Sequence, residues 1–254
     1  MRKYIAILLL ALPLAVQAAD PVFNSISDED METIAKGMGA NFTHNSMMGA
    51  SKLGTVFGFQ VGVVAAQTAV PDINDIAKAN GGELKNLYNA GMMGAVGIPF
   101  GISFEAVVMP KTKTDGAEAE ATSLGLKWNI NDVIPVLPVN LALRGVHSTA
   151  EFSFEQSGAT VNNETTVSGV QLLFSPMIPV IEPYIGVGQL QAKNELGITT
   201  GTIFDSGAAK DSKTVSSTQF LAGAEVNLLL LKLGAEYSQA FGNSRYGIKL
   251  SFGF

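Results

Sequence analysis

Gln60, Glu105, Lys127, Arg144, Glu225, Lys232, Glu236, Arg245 and Lys249 are the residues of this chain with most chemistry to offer, and they share a phase. Each stands in a stretch that alternates at period two, on the face opposite Phe, Leu, Ile and Val, so in extended chain all point away from the apolar side. Acids and bases are mixed. The set reads either as ion pairs that close a shared interior or as the polar lining of a narrow conduit. Neither reading assigns a catalytic residue.

The other reactive types are few. His44 and His147 are the only histidines. His147-Ser148-Thr149 lies at a loop edge, and adjacent residues on a strand face opposite sides, so His147 and Ser148 cannot act as base and nucleophile. His44, Met47 and Met48 carry donors that suit copper(I), but methionines that fill gaps in a packed segment are the simpler reading, and no metal is assigned. Gly37-Met38-Gly39 and Gly186-Val187-Gly188 lack the third glycine and the strand-to-helix context of a nucleotide loop, so no cofactor is assigned either.

Residues 1–18 read as a secretory signal: Arg2 and Lys3, then an apolar stretch from Ile5 to Val16, then the small-residue cleavage site Val16-Gln17-Ala18. The formal charge is −6 and becomes more negative once Arg2 and Lys3 are removed, which argues against nucleic acid as a partner. The chain has no cysteine, so neither a disulfide nor a lipidated thiol is available. Mean hydropathy is positive at +0.27. Yet no apolar run past the leader approaches the roughly 20 residues of a spanning helix. A chain this apolar must therefore bury its side chains in a β-rich core or turn them outward from a barrel toward lipid.

The elements that would hold the polar set follow from the pattern. Ser27-Asp28-Glu29-Asp30 has capping-box spacing ahead of Met31, Ile34, Ala35 and Met38, predicting a short helix from Ser27 to about Lys36 that Gly37 and Gly39 end. It belongs in the periplasm or in a barrel mouth. Residues 41–52 read as irregular or as a partial strand, and Asp72 to Ala79 as one or two helical turns. From Leu53 onward, stretches of alternation recur, each near the length a tilted barrel strand requires. In the stretch containing Tyr184, Ile185 and Val187 the outward face stays open, because the aromatic and the aliphatics disagree. The last strand sets Tyr246, Ile248, Leu250, Phe252 and Phe254 on one face.

The predicted fold is all-β: a transmembrane antiparallel up-and-down barrel of about ten strands, within the range 8 to 12, with a short N-terminal helix. Its parts would be the signal 1–18, a periplasmic or lumen-plugging segment 19–52, and the barrel 53–254. The connections support this. Those after odd strands are polar and mostly long (67–85, 110–118, 148–163, 194–213), and those after even strands are short or proline-marked and apolar (98–101, 131–138, 175–179, 228–230), as in a barrel with both termini in the periplasm.

The signal, the repeated hairpins over 53–254, Pro183-Tyr184-Ile185-Gly186-Val187-Gly188 and the alternation closing on Phe254 resemble bacterial outer-membrane β-barrel proteins as a broad superfamily. The resemblance implies a Gram-negative outer membrane, lipid as surroundings, and periplasmic chaperones and the barrel assembly machinery as partners. It makes Tyr246, Ile248, Leu250, Phe252 and Phe254 the assembly signal. The Asp and His pairing of the outer-membrane aspartyl-type proteases is missing, and no enzyme is expected. Three roles stay open: a structural or porin-like barrel passing small solutes, a surface adhesion protein using loops 148–163 and 194–213 on an extracellular ligand, and a hydrophobic-uptake channel lined by Met31, Ile34, Met38, Met47 and Met48.

Overall fold

The computed structural model describes residues 27–79, 82–114, 117–132, 134, 137–156, 159–198 and 210–254, so the signal at 1–18 lies outside it. Among the described residues, ten strands pair antiparallel with their sequence neighbours: β1 (Gly58–Ala69), β2 (Asn86–Ile98), β3 (Ile102–Thr114), β4 (Ala117–Asn129), β5 (Val139–Gln156), β6 (Ala159–Pro176), β7 (Ile181–Ile198), β8 (Lys210–Leu228), β9 (Leu231–Ala240) and β10 (Asn243–Gly253). The β1–β10 ladder, Gln60 opposite Gly253 through Thr68 opposite Arg245, closes the barrel. Closure removes the free edges that apolar strands would otherwise expose. Phe254 extends the seam: its N–H donates to the Phe59 carbonyl at 3.0 Å, Phe59 N–H donates to the Phe254 carbonyl at 3.0 Å, and the two rings meet edge to face at 4.8 Å.

Alternation sorts the two faces. Tyr246, Ile248, Leu250, Phe252 and Phe254 are all exposed on the outside, while Arg245, Lys249 and Ser251 between them are buried inside. Tyr184 turns inward and Ile185 and Val187 outward, which settles the face of β7: the phenol needs a polar partner and finds one in the lumen. Phe254, Trp128 and Phe174 mark the end holding the C terminus, and Tyr88, Tyr237 and Tyr246 the far edge of the apolar belt. Aromatic girdles at both edges are the membrane-interface pattern.

Strand reaches into two expected loops. Residues 148–156 pair with 159–167, and Asn194–Gly197 with Lys210–Lys213, so β5 to β8 run 18 or 19 residues each. The outward row of β7 turns polar after Val187, at Gln189, Gln191 and Lys193, so these strands rise past the belt. With a polar row outside and an inner row that mixes Val161, Val167 and Leu196 with Asn163, Thr165 and Asn194, no steady hydrophobic period survives, which is why the sequence reads there as loop. The hairpin after β3 is likewise strand through Thr114, with a register shift at Pro110, whose nitrogen cannot join the ladder.

Helix α1 (Asp28–Phe42) fills the raised half of the barrel. Its capping box forms as expected: Asp30 N–H donates to Ser27 Oγ at 3.2 Å and Ser27 N–H donates to Asp30 Oδ2 at 3.0 Å. The helix does not stop at Lys36. Gly37 packs on Ile73 of α2 (Pro71–Ala79), and a Cβ on Gly39 would stand 2.6 Å from Ala192 Cβ, so the glycines allow close docking instead of ending the helix. Ala35 and Ala40 pack with Val146, Val167, Leu190, Ala192, Val215 and Phe241, the interior of the raised strands. From Thr43 the chain descends the lumen without regular structure to Leu53, beside Gly58 and Gly97 at the C-terminal end. Helix α1 therefore sits at the far end of the lumen, not on the side where the C terminus lies.

Candidate functional site

An irregular segment inside a barrel has main-chain carbonyls with no ladder to join, and the inward cations Lys127, Arg144, Arg245 and Lys249 are buried from bulk solvent. Residues 43–51 and the wall answer each other's need. Arg245 Nη1 donates to the Thr43 carbonyl at 2.6 Å and Lys249 Nζ to the Met47 carbonyl at 2.6 Å. Arg144 Nη1 donates to the Met48 carbonyl at 3.3 Å and accepts nothing. Lys127 Nζ reaches the carbonyls of Gly49 at 2.8 Å and Ser51 at 3.1 Å, and Asn129 Nδ2 that of Ala50 at 2.6 Å. Two of the segment's own N–H groups are also taken, Ala50 by Ser175 Oγ and Ser51 by Glu182, both at 2.8 Å.

Two carboxylates balance the cations. Glu105 accepts from Ser46 Oγ at 2.6 Å, lies 3.0 Å from His44 Nε2 and 3.4 Å from Arg144, and faces Lys127 at 3.6 Å. Glu225 pairs with Lys249 and with Lys232 at 3.6 Å, and takes Gln60 Nε2 at 3.1 Å. Gln60, Glu105, Lys127, Arg144, Glu225, Arg245 and Lys249 are buried in the lumen, with Lys232 and Glu236 half-buried. Lys249 meets Glu225, but Arg245 makes no ion pair with Glu236, which instead accepts the Tyr184 hydroxyl at 2.9 Å while Arg245 turns to Thr43. Sequence reading passed over Asn129, Ser175 and Glu182, whose partners are main chain, and left the face of Tyr184 open, whose partner Glu236 lies two strands away.

His44 is committed on both nitrogens, Nδ1 lying 2.6 Å from Ser123 Oγ. Met47 and Met48 pack with Leu53, Val64 and Met93, while Met31 and Ile34 lie in the helix above. These apolar side chains are core packing, not one continuous lining. His147 is on the outside with Nδ1 2.8 Å from Ser168 Oγ, and Ser148 faces inward to Ser123. The pair His147 and Ser168 sits in regular ladder, where the backbone N–H groups are taken and none is free to stabilise an oxyanion.

A closed, even-stranded antiparallel barrel with a polar interior, an apolar exterior belt and aromatic edges is a transmembrane β-barrel of the bacterial outer-membrane kind. More narrowly, the chain belongs to the DUF6588 family, a family of unknown function whose model matches residues 14–252. No curated protein matches it. Solved structures similar to it include the attachment invasion locus protein Ail of Yersinia pestis (11% identity, TM-score 0.38, covering 78% of this chain and 97% of that one). Others are the outer membrane protease OmpT of Escherichia coli (10%, 0.44, 78% and 96%) and the translocator domain of the autotransporter NalP of Neisseria meningitidis (11%, 0.42, 79% and 88%).

Proposed function

We propose that the protein is an outer-membrane barrel whose lumen is held shut by its own residues 43–53, a structural or anchoring element that passes small solutes only when that segment is displaced. The observation that carries this is the grip of Arg245, Lys249, Arg144, Lys127 and Asn129 on successive plug carbonyls. Charges so engaged do not line an aqueous path. The short turns and the C terminus share one end, which we assign to the periplasm, with export through the 1–18 signal and insertion by the barrel assembly machinery and periplasmic chaperones. Planar-bilayer recording tests the reading. The wild type is expected to show no sustained current, and a Lys127→Met/Lys249→Met variant to show openings; a stable open pore in the wild type overturns it.

A second reading, adhesion or another surface interaction, draws support from the raised strands. β5 to β8 project polar outward rows beyond the belt, offering a firm platform rather than loose loops. Replacing residues 151–163 by a short turn tests it through binding of cells to a host or abiotic surface, with the folded barrel as control.

A further inference from the structure

Four short connections join strands at the end that holds the C terminus, and three of them, 98–102, 176–181 and 228–231, carry no charged residue. Leu229 is 97% and Phe100 78% exposed, and Met177, Ile178 and Val180 are more than half exposed. Backbone geometry makes this choice of residue costly. Phe100, Val180 and Leu229 have φ of 70°, 72° and 61°, the left-handed region where glycine or asparagine is at ease and a β-branched residue such as Val180 is an outlier. Such strain persists where the surroundings require it. In water a large apolar side chain gains nothing by standing at a turn tip, so the requirement comes from an apolar contact outside the barrel.

The position of the tips says what that contact is. They belong to the hairpins β2–β3, β6–β7 and β8–β9, spread around the rim, so no single patch joins them. Lipid is what surrounds a barrel on every side, and each tip prolongs an outward apolar row: Phe100 that of Phe104, Ile178 that of Phe174, Leu229 that of Leu231. On this side, then, the apolar surface does not end at Trp128, Phe174 and Phe254. Height argues the same way. At about 3.4 Å per residue and a tilt near 40°, the row from Tyr237 to Leu231 on β9 rises about 16 Å and that from Val170 to Phe174 on β6 about 10 Å, short of the roughly 25 Å band of such barrels. Including Leu229 and Ile178 brings each to about 20 Å.

Main chain that enters lipid must have its polar groups satisfied internally or lack them. Pro99, Pro176 and Pro179 have no N–H to leave open. Ile178 and Ile181 N–H donate to the Pro176 and Pro179 carbonyls at 3.0 and 2.9 Å, and Asn227 N–H donates to the Val180 carbonyl at 2.7 Å. We propose that these turns seat the barrel in the leaflet on its C-terminal side, with Phe100, Ile178, Val180 and Leu229 at the headgroup–acyl boundary of the lipid surface and not in the water beyond it. This seating is independent of the plug and of which side of the membrane that end faces.

The chain has a single tryptophan, Trp128, so depth can be read by fluorescence. In a Trp128→Phe background, Phe100→Trp and Leu229→Trp each put one indole at a tip, and the proteins are folded into phosphatidylcholine vesicles with and without lipid brominated near the head of its acyl chains. Each tip indole is expected to lose as much emission to the brominated lipid as Trp128 does in the wild type, and less to aqueous iodide present on both sides. Greater loss to iodide than to lipid overturns the seating and leaves the tips as a water-facing surface for another protein. Should the variants not fold, wild-type Trp128, about 5 Å further into the membrane than the tips, decides. Stronger quenching by acyl-chain bromine than by a nitroxide on the lipid headgroup supports the seating, and the reverse order overturns it.

Discussion

Lys249 Nζ donates to the Met47 carbonyl at 2.6 Å while the same ammonium pairs with Glu225, so one side chain of the last strand holds both a neighbouring strand's acid and the plug. Lys249→Met removes both contacts and leaves Glu225 with Lys232, 3.6 Å away. Breaking a buried pair in this way costs about 3–5 kcal/mol. The expected result is a lower urea midpoint in detergent together with transient conductance. An unchanged midpoint would show that the lumen is more hydrated than its packing implies.

Phe254→Ser removes the ring set edge to face on Phe59 but keeps the main-chain bonds between the two residues. An aromatic pair of this kind contributes about 0.5–1.5 kcal/mol beyond its buried area. The larger effect is expected in biogenesis: less heat-modifiable protein in the outer-membrane fraction, with the inserted remainder unfolding near the wild-type temperature. Normal insertion yield would deny the terminal strand its role as assembly signal.

Gly39→Leu cannot be accommodated where a Cβ alone comes within 2.6 Å of Ala192 Cβ and 3.3 Å of Phe241 Cε2. Helix α1 must then lift from β7, so limited proteolysis is expected to cut within residues 28–42 while the belt strands stay protected. Ala192→Gly in the same chain should recover part of the protection.

Asp28 is exposed at the far end, and Leu229, at the tip of a short turn, is exposed at the C-terminal end. Because the chain has no cysteine, Asp28→Cys and Leu229→Cys each offer a single thiol. On intact cells a membrane-impermeant maleimide should label Cys at 28 and not at 229, and both after permeabilisation. The reverse pattern would invert the orientation proposed above.

Glu195 lies on β7 beyond the belt. Hydrogen bonds from Lys193 and Lys210, 2.6 and 2.8 Å away, followed by the charges of the same two lysines, hold its carboxyl down at about 2 against an ordinary 4.5. A folded-state value below the unfolded one stabilises fully above about pH 4.5 and loses that contribution as pH falls through about 2. The carboxyl resonance of Glu195 should therefore titrate near 2, and Lys210→Met should bring it back toward 4.5. Titration at the ordinary value in the wild type would mean that the β7–β8 extension is frayed.

Belt strands were legible because lipid imposes one rule on every second residue: Ile248, Leu250 and Phe252 declare β10 without reference to anything else. Above the belt that rule lapses. Asn163 and Asn194 bond each other across the ladder at 3.0 and 3.1 Å, but a paired asparagine and a loop asparagine look alike in sequence. Gly37 and Gly39 misled for a related reason, since helix propensity counts a missing Cβ as a cost and sees neither Ile73 nor Ala192. Inward phase found Lys127, Arg144, Arg245 and Lys249. It could not show that their main partners are carbonyls of residues 43–51, because a carbonyl is common to every residue type.

The plug and the wall are also ordered in time by their connectivity. Residues 43–51 precede every strand, whereas Arg245 and Lys249 belong to the last strand and reach back over roughly 200 positions to Thr43 and Met47. Until β10 pairs with β1, the early segment has the side of its cradle built by Glu105, Lys127, Asn129, Arg144, Ser175 and Glu182 but not the side built by Arg245 and Lys249. Sealing the wall and fastening what it encloses are thus one event, like a clasp that shuts on the thread already passed through it. A nascent barrel stalled before its final strand would remain unlatched as well as open.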